Sequence, residues 1–350
     1  MIKAHTTEVQ LVYDEGRAAL IEDGKVADYV PLAGLKAGDY RIGAILKARI
    51  TQVFAKQNRA QCQLPDGQIA SFRLAGKSNG QSGKLVSGAY CWITLSAMPR
   101  QHKPWQAEFG ISRAGHMIVL HYGTRGVRLS HKAKGVVDDG VINALSSVLP
   151  EGWGAVIKRA GIGASAAYIC EEALYLLQDI TTPLPDHEHK MAVAYDGDMP
   201  YGLLRYGVPE GGIQRQETDA DFWAELEDEA LDCCERVINL ASGAVITIEH
   251  TQALIAIDVD SGTAKLSPFA LAKQVMPEIM RVIRLASYSG VIVIDLPRLG
   301  IAHKQEIVDE VRECAIKDSR HPDILGFSRA GLLEVVVRHR LSLLKDRVIS

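Results

Sequence analysis

The sequence lacks the long apolar segments and the cysteine patterns that define several protein classes. No apolar run approaches the roughly 18 residues that a membrane-spanning helix needs, and the N-terminal stretch lacks the continuous apolar core of a signal peptide. Six cysteines are scattered among 350 residues, and no two of them form a Cys-x-x-Cys pair. We therefore expect a cytoplasmic protein without a membrane span, a disulfide framework or a zinc site.

The overall composition is that of a globular protein with more than one core. Hydrophobic residues make up 47% of the chain and charged residues 23%, as is typical of water-soluble domains. A chain of 350 residues is longer than one core usually organises, so about two to four domains or subdomains are expected.

The net charge of −3 hides a segregation of charge along the chain. Between Arg41 and Val137 there are 15 Lys and Arg residues but only two acids, whereas between Asp186 and Glu235 there are 14 acids against three bases. This separation favours a protein whose basic part binds a polyanion and whose acidic part excludes it. The alternative is that the linear bias forms no surface patch.

Residues 41–113 show the pattern of a small β-barrel. Short alternating apolar runs are separated by Pro-Asp-Gly and by the stretch GKSNGQSGK. Five or so short strands with polar loops and basic residues predict an antiparallel barrel, and the nucleic-acid-binding OB-fold is the natural candidate. Upstream, Asp23-Gly24 predicts the turn of a β-hairpin.

The remainder of the chain alternates helix and strand patterns, which predicts α/β architecture. Helices are predicted at 138–149, ASAAYICEEALYLLQDI, 277–287 and 302–318. A further helix is capped by Thr218 or Asp219, and its apolar face runs from Phe222 to Val237. The predicted strands are AVITIEH, ALIAIDV, GVIVID, ILGFS and LLEVVVRHR.

Two of these strands end in aspartate. LIAIDVDSG places Asp258 and Asp260 on one face of a strand end, and GVIVID places Asp295 at the carboxyl end of an apolar strand. In α/β sheets this end forms binding crevices. Converging carboxylates repel one another, and a divalent cation such as Mg²⁺ removes the conflict. The alternative is that strand-end aspartates only cap turns.

The same segments resemble the catalytic core of ribonucleases E and G. The resemblance is carried by ASGAVITIEHTQALIAIDVDSG, PEIMRVIRLASYSGVIVID and GFSRAGLLEVVVRHRL. Upstream, RAALIEDGKV, ISRAGHMIVL and PEGWGAVIKRAGIG fit in the right order, so the resemblance covers nearly the whole chain.

The resemblance implies an α/β fold of several subdomains. Residues 1–36 and 187–237 would form a reduced ribonuclease-H-like part, into which an OB-type (S1-like) RNA-binding barrel of residues 37–113 is inserted. Residues 114–186 would form a subdomain like the family's sensor of the RNA 5′ end. Residues 238–350 would form a deoxyribonuclease-I-like catalytic subdomain.

The resemblance also implies the site residues. Asp258 and Asp295 match the two catalytic aspartates that bind Mg²⁺, which Mn²⁺ can replace. Asp260, the third predicted catalytic residue, stands where the family commonly has the asparagine that supports the first of those aspartates. Residues in segments that match RNA-contacting parts of the family, or in the basic strand-loop region of residues 116–135, are predicted to bind RNA: Lys158, Arg159, Arg329, Arg338, Arg340, Arg128 and Lys132. The family's base-stacking phenylalanine falls at Gln61, and Phe72 is its predicted replacement. The alternatives are that Phe54 replaces it or that both phenylalanines belong to the core, which is the favoured interpretation for Phe54.

Departures from the family bear on assembly and sensing. The family's Cys-Pro-x-Cys zinc link is missing, so neither zinc nor a zinc-linked tetramer is expected, while a homodimer is left open. The Arg-Thr pair of the family's 5′-end sensor aligns with Lys158-Arg159, which predicts that dependence on a 5′-monophosphate is weakened or absent. His303-Lys304 begin a predicted helix and either face a phosphate or form a solvated helix start.

The predicted function is a metal-dependent endoribonuclease that cleaves single-stranded RNA to 5′-phosphate and 3′-hydroxyl ends. Such an enzyme would act in RNA decay or in rRNA and tRNA maturation. The first alternative is an RNA-binding protein with the same fold that has lost catalysis. The second is a metal-dependent nuclease acting on DNA.

Overall fold

The computed structural model describes residues 8–74, 85–100, 103–131, 137–180, 190–205, 208, 212–318 and 320–349. Their contacts separate two compact units: the first lies within residues 1–34 and 207–350, and the second within residues 35–206. Among the described residues, no helix is both long enough and apolar enough to cross a membrane.

The strands of the first unit are β1 (Val9–Tyr13), β2 (Arg17–Glu22), β3 (Lys25–Pro31), β16 (Ile213–Gln216), β17 (Val237–Asn239), β18 (Val245–His250), β19 (Leu254–Asp260), β20 (Gly290–Asp295), β21 (Asp323–Phe327) and β22 (Leu333–Val337). Its helices are α4 (Ala220–Asp232), α5 (Pro268–Leu285), α6 (Ile301–Lys317) and α7 (Leu344–Ile349). One sheet has the order β16-β1-β2-β3, and the other has the order β17-β18-β19-β20-β22-β21.

The strands of the second unit are β4 (Lys36–Ala37), β5 (Tyr40–Arg41), β6 (Ile45–Phe54), β7 (Arg59–Gln63), β8 (Ile69–Arg73), β9 (Tyr90–Ala97), β10 (Trp105–Phe109), β11 (Ser112–Ala114), β12 (Ile118–Tyr122), β13 (Gly126–Leu129), β14 (Trp153–Ile157) and β15 (Ala192–Tyr195). Its α-helices are α1 (Asp139–Val148), α2 (Ala166–Leu177) and α3 (Pro200–Leu204).

The hairpin predicted at Asp23-Gly24 is confirmed. Both residues have positive φ, 49° and 78°, as a tight turn between β2 and β3 requires. Helix α4 begins after Asp219, whose carboxylate accepts the backbone N–H groups of Asp221 and Phe222. The same helix ends at Asp232, so the prediction that Val237 belongs to its apolar face was wrong: Val237 starts β17 and is 46% exposed.

Helix α5 begins at Pro268 rather than at Pro277. The Ser267 hydroxyl accepts the N–H of Ala270 at 3.2 Å, and Pro268 occupies the first turn, where its missing N–H costs little. Apolar residues on the core face, such as Leu271 and Val275, are buried upstream of Pro277. The predicted start at Pro277 was therefore wrong, because packing of this face outweighs one lost backbone hydrogen bond.

The second unit contains a closed, OB-like barrel. Strands pair in the order β6-β7-β8-β10-β9, and β9 pairs back with β6 to close the ring. Strands β8 and β10 pair in parallel, so the prediction of a wholly antiparallel barrel was wrong at this seam. Strand β15 extends the sheet by pairing antiparallel with the start of β6.

The rest of the second unit is a four-stranded sheet with two helices. Strands pair in the order β11-β12-β14-β13, and α1 and α2 contact each other and this sheet. Helix α2 is capped by Ser165, whose hydroxyl accepts the N–H of Tyr168 at 3.2 Å. The fold is therefore mixed α/β with a closed five-stranded barrel, and its division into four named subdomains stays a prediction.

Candidate functional site

Asp258 and Asp295 lie directly opposite each other in the first unit. Strands β19 and β20 are parallel neighbours, and their register pairs Asp258 with Asp295. Paired residues on neighbouring strands are about 4.8 Å apart, and both side chains are exposed. The residues that precede the two aspartates, Ile257 and Ile294, point to the opposite face of the sheet and are buried. The sequence-predicted convergence of these two carboxylates is therefore present in the structure.

Arg329 lies at the same edge of the sheet. Strand β22 runs antiparallel to β20, and its first residue, Leu333, pairs with Ile294, next to Asp295. The turn that precedes β22 is closed by a hydrogen bond from the Gly331 N–H to the Ser328 carbonyl at 3.0 Å. This turn presents the exposed side chain of Arg329. We call the sheet edge formed by Asp258, Asp260, Asp295 and this turn the carboxylate edge.

Asp260 has a structural partner of its own. Its Oδ1 accepts the Gly262 N–H at 2.6 Å, and it lies opposite Val245 at the end of β19. The side chain remains exposed. Thr247, which the sequence reasoning did not single out, lies opposite Asp258 on β18. Only the strand register shows that Thr247 lies beside Asp258.

The donor set of this edge fits a hard divalent cation. In the part of the chain that the structure describes, no three or more His, Cys, Asp or Glu side chains are placed together to hold a metal ion. A site based on Asp258 and Asp295 would therefore have two carboxylates as its protein ligands. Mg²⁺ commonly uses one or two carboxylates and fills its octahedron with water and phosphate oxygens.

Arg338 and Arg340 do not join the carboxylate edge. They follow β22, whose last residue, Val337, pairs with Gly290 at the start of β20. Gly290 and Asp295 are five positions apart along β20, which corresponds to roughly 16 Å. Predicted phosphate contacts of these two arginines would lie at the opposite edge of the sheet.

In the second unit, Lys158 is held in a network that includes a buried acid. Its Nζ donates to the Gly115 carbonyl at 2.8 Å. The carboxylate of Glu172 accepts the N–H of Met117 with both oxygens, at 3.1 and 3.0 Å. Burial raises the pKa of Glu172 to about 7, against the opposing effect of these hydrogen bonds and of Lys158. Burial, with a smaller effect from Lys158, lowers the pKa of His116 to about 4.

The other basic residues predicted in this unit differ in accessibility. Arg159 follows Lys158 and is exposed, whereas Lys158 is half-buried. Arg128 is exposed on β13, opposite Val156 of β14. Lys132 lies outside the described residues. Arg128 and Arg159 are therefore accessible to a phosphate from solvent.

Phe72 does not face solvent. It is 1% exposed inside the barrel and stacks on Phe109, with ring centroids 5.8 Å apart and planes inclined by 21°. The prediction that Phe72 replaces the family's base-stacking phenylalanine was therefore wrong. The residues Ala70, Ser71 and Phe72 are all buried, so alternation along β8 did not reveal which side faces the interior.

The neighbouring side chains of the barrel strands form a polar row that sequence reasoning missed. Gln61 pairs with Ser71, and Ser71 pairs with Gln106 across β7, β8 and β10. The Arg59 guanidinium donates to the Gln106 amide oxygen at 2.8 Å and to the Ser71 hydroxyl at 3.2 Å. Exposed Arg73 lies opposite Arg59. The alternation of RAQCQ, with Arg59, Gln61 and Gln63 on one side, is the signal that could have found it.

Comparison with known proteins shows that the segment containing the carboxylate edge resembles a known family. Residues 214–341 match the model of the Ribonuclease E/G family, and this range contains Asp258, Asp295 and Arg329. The resemblance recognised in the sequence is thereby confirmed.

Relatives of the ribonuclease E/G family match well beyond that range. Ribonuclease E of Haemophilus influenzae (strain ATCC 51907 / DSM 11121 / KW20 / Rd) is 32% identical over 300 residues, which are 74% of this chain and 32% of that protein. Ribonuclease E of Escherichia coli (strain K12) is 26% identical over 321 residues, 78% of this chain and 30% of that protein. Ribonuclease G of Salmonella typhimurium (strain SL1344) is 26% identical over 118 residues, 32% of this chain and 24% of that protein. The chain spans about a third of the length of these ribonucleases E.

Proposed function

We propose that this chain is a metal-dependent endoribonuclease that cleaves single-stranded RNA and leaves 5′-phosphate and 3′-hydroxyl ends. The observation that carries the proposal is the direct register of Asp258 and Asp295 inside the ribonuclease E/G segment. Two exposed carboxylates in register give a negatively charged edge, which would repel a phosphodiester unless a cation is bound between them.

In this proposal Asp258 and Asp295 hold Mg²⁺, and Mn²⁺ can replace it. The bound ion would polarise the phosphate and favour ionisation of an attacking water. Asp258 and Asp295 orient the site through their fixed strand positions. Arg329, exposed in the turn beside Asp295, binds a non-bridging phosphate oxygen and stabilises the charge that develops during attack.

The second unit contributes RNA affinity. The exposed residues Arg73, Arg128 and Arg159 bind backbone phosphates. The ammonium group of Lys158 lies at the Gly115 carbonyl, to which it donates a hydrogen bond. We assign residues 37–113 to an OB-type RNA-binding barrel and 114–186 to a sensor-like subdomain, with the ribonuclease-H-like and deoxyribonuclease-I-like parts as the resemblance implies. RNA decay or rRNA and tRNA maturation in the cytoplasm is the corresponding role, and the protein acts as a monomer or a homodimer.

The test is cleavage of a fluorescent single-stranded RNA in Mg²⁺ by the wild type, Asp258→Ala and Asp295→Ala. We expect each substitution to lower the cleavage rate by roughly 1000-fold or more, because the metal contributes several kcal/mol to catalysis. The matched control is Asp323→Ala, which removes an exposed carboxylate from the distant end of β21, opposite Val336, and should leave the rate within about twofold.

Two results would contradict this proposal. One is cleavage by the wild type that persists after an excess of chelator has removed the metal ions. The other is undiminished cleavage by both aspartate variants. The same assay with DNA of identical sequence tests the choice of RNA: equal rates on both substrates would exclude an RNA-specific enzyme.

Asp260 favours a second candidate function, an RNA-binding protein that no longer cuts. Its Oδ1 is engaged by the Gly262 N–H, and it adds a negative charge where the resemblance leads us to expect asparagine. Intact RNA binding without cleavage by the wild type, together with restored cleavage in Asp260→Asn, would favour this second function.

A further inference from the structure

An aromatic pair lies on the surface at the starts of helices α5 and α6. The His303 imidazole stacks on the Phe269 ring, with centroids 4.0 Å apart and planes inclined by only 10°. Phe269 is the second residue of α5, and His303 is the third residue of α6. His303 is exposed, while Phe269 is partly buried behind it. The pair is therefore a flat, two-layered surface whose outer layer is accessible to solvent.

Chain topology places this pair at the carboxylate edge. Residues 261–267 connect the end of β19 to α5, and residues 296–300 connect the end of β20 to α6. Asp258 and Asp295 belong to those two strand ends. A five-residue connection spans at most about 18 Å when fully extended, so the pair lies within a few nucleotides of a phosphate held by the aspartates.

The surroundings of the pair are unusually apolar for a solvated helix start. Ile301, the first residue of α6, is 90% exposed, and Leu266, just before α5, is 42% exposed. The Lys273 ammonium lies 5.4 Å from the Phe269 ring centroid and is paired with Glu306 at 3.0 Å and Glu310 at 2.7 Å. Exposed apolar and aromatic groups match the apolar faces of a nucleobase.

A second cation connects the pair to the turn of Arg329. Lys304 follows His303, and its ammonium lies 4.9 Å from the centroid of Phe327. A Cβ atom at Gly331, in the Arg329 turn, would lie 3.8 Å from the same ammonium. Lys304 therefore lies between the aromatic pair and Arg329, where it can contact the phosphate that joins two successive nucleotides.

We propose that His303, supported from behind by Phe269, stacks on an unpaired nucleobase next to the phosphate bound at the carboxylate edge. This inference rests on the proposed endoribonuclease function and names a residue that positions its substrate. Stacking is available to all four bases, so the platform selects unpaired RNA without requiring a particular sequence. It also supplies base stacking at a place other than the barrel, where Phe72 is buried.

The test uses single-stranded RNAs with 2-aminopurine at successive positions around the cleavage site, in the full chain carrying Asp258→Asn to prevent cutting. We expect fluorescence to fall on binding at one position only, because stacking quenches this base. His303→Ala should abolish that quenching and weaken binding by roughly 5- to 150-fold. His303→Phe should restore both, because it keeps a stacking ring without a titratable nitrogen.

The matched control is Gln305→Ala. Gln305 is exposed on the same helix and hydrogen-bonds Asp309 at 2.9 Å, so this variant should bind and quench like its parent. In the Asp258→Asn background, binding and quenching do not depend on catalysis. With Asp258 restored, His303→Ala should raise KM more than it lowers kcat.

The outcomes separate the two proposals. If the wild type cuts RNA while His303→Ala quenches and binds like its parent, the platform is wrong and the endoribonuclease proposal stands. If nothing cuts but quenching still depends on the His303 ring, the platform stands and catalysis is lost. Equal loss of binding in His303→Phe and His303→Ala would overturn a stacking role.

Discussion

At the scale of single residues, charged side chains in this chain have two different fates. Those at the carboxylate edge are exposed, as cation and phosphate binding require. Glu172, by contrast, is completely buried, and its carboxylate holds the backbone of the Met117 loop. That loop also provides the carbonyl of Gly115, which accepts a hydrogen bond from Lys158. The stability of this region should therefore depend on the protonation state of one acid.

Glu172 predicts a specific dependence of stability on pH. Its pKa is raised by burial from 4.5 to about 7, so the folded protein holds this proton more tightly than the unfolded chain. The resulting stabilisation is complete below pH 4.5 and is lost as the pH rises to about 7. Glu172→Gln removes this titration, and the wild type should lose about 3 kcal/mol relative to the variant over that range.

Urea unfolding at several pH values between 5 and 8 measures this difference. Glu171→Gln is the control, because Glu171 is the adjacent acid and its side chain is 52% exposed beside Arg205. It should change the free energy of unfolding by less than about 1 kcal/mol at every pH. Parallel pH profiles for the wild type and Glu172→Gln would contradict the assignment.

At the scale of elements, the decisive unit is the pair of parallel strands β19 and β20. Alternation gives each strand a buried side and an exposed side: Ile257 and Ile294 enter the core, and Asp258 and Asp295 face outward. A shift of the pairing by one residue would place one aspartate opposite a core side chain. The apolar side of these strands therefore fixes the position of the carboxylates.

Strand β20 offers a matched pair of substitutions for this argument. Ile294→Ala removes a fully buried side chain and should lower the free energy of unfolding by about 2–5 kcal/mol. Val291→Ala, on the other face of the same strand, replaces a side chain that is 41% exposed and should cost less than about 1 kcal/mol. Chemical denaturation measures both values, and similar costs would show that the assigned core side of β20 is wrong.

At the scale of the whole molecule, charge is divided unevenly along the chain. The 15 bases between Arg41 and Val137 lie within the range of the second unit, whereas the acidic helix α4 belongs to the first. Arg49 and Arg73 are exposed on barrel strands, and both are available to phosphates. Under the proposed function, RNA affinity should therefore depend on salt concentration through the second unit.

Each phosphate contact to single-stranded RNA contributes about 0.7 to the slope of log affinity against log salt concentration. Arg49→Ala combined with Arg73→Ala should lower this slope by about 1.4 and leave the fold intact, because both side chains are exposed. A control pair, Arg236→Ala with Arg312→Ala, removes two exposed arginines of the first unit. An unchanged slope in the barrel variant, or an equal change in the control, would exclude barrel contacts.

Several features of this fold followed from local chemistry in the sequence. Asp23-Gly24 formed the expected turn, Asp219 capped α4, and alternation placed Asp258 and Asp260 on the same face of the strand end. The Ribonuclease E/G family match confirmed the resemblance in the segment that contains Asp258 and Asp295. These features are predictable because turn geometry, helix capping and strand alternation each depend on a few neighbouring residues.

The sequence by itself determined which residue types alternate on each strand and where most helices begin, so Asp258 and Asp295 could be named in advance. Only the tertiary structure decided that these two residues pair directly, that β8 pairs in parallel with β10 and that Phe72 points into the barrel. It also brought His303 onto Phe269, two residues 34 positions apart in the chain. The physical reason is that strand register and helix–helix contacts depend on how distant apolar faces are buried together, and short-range patterns carry no information about that packing.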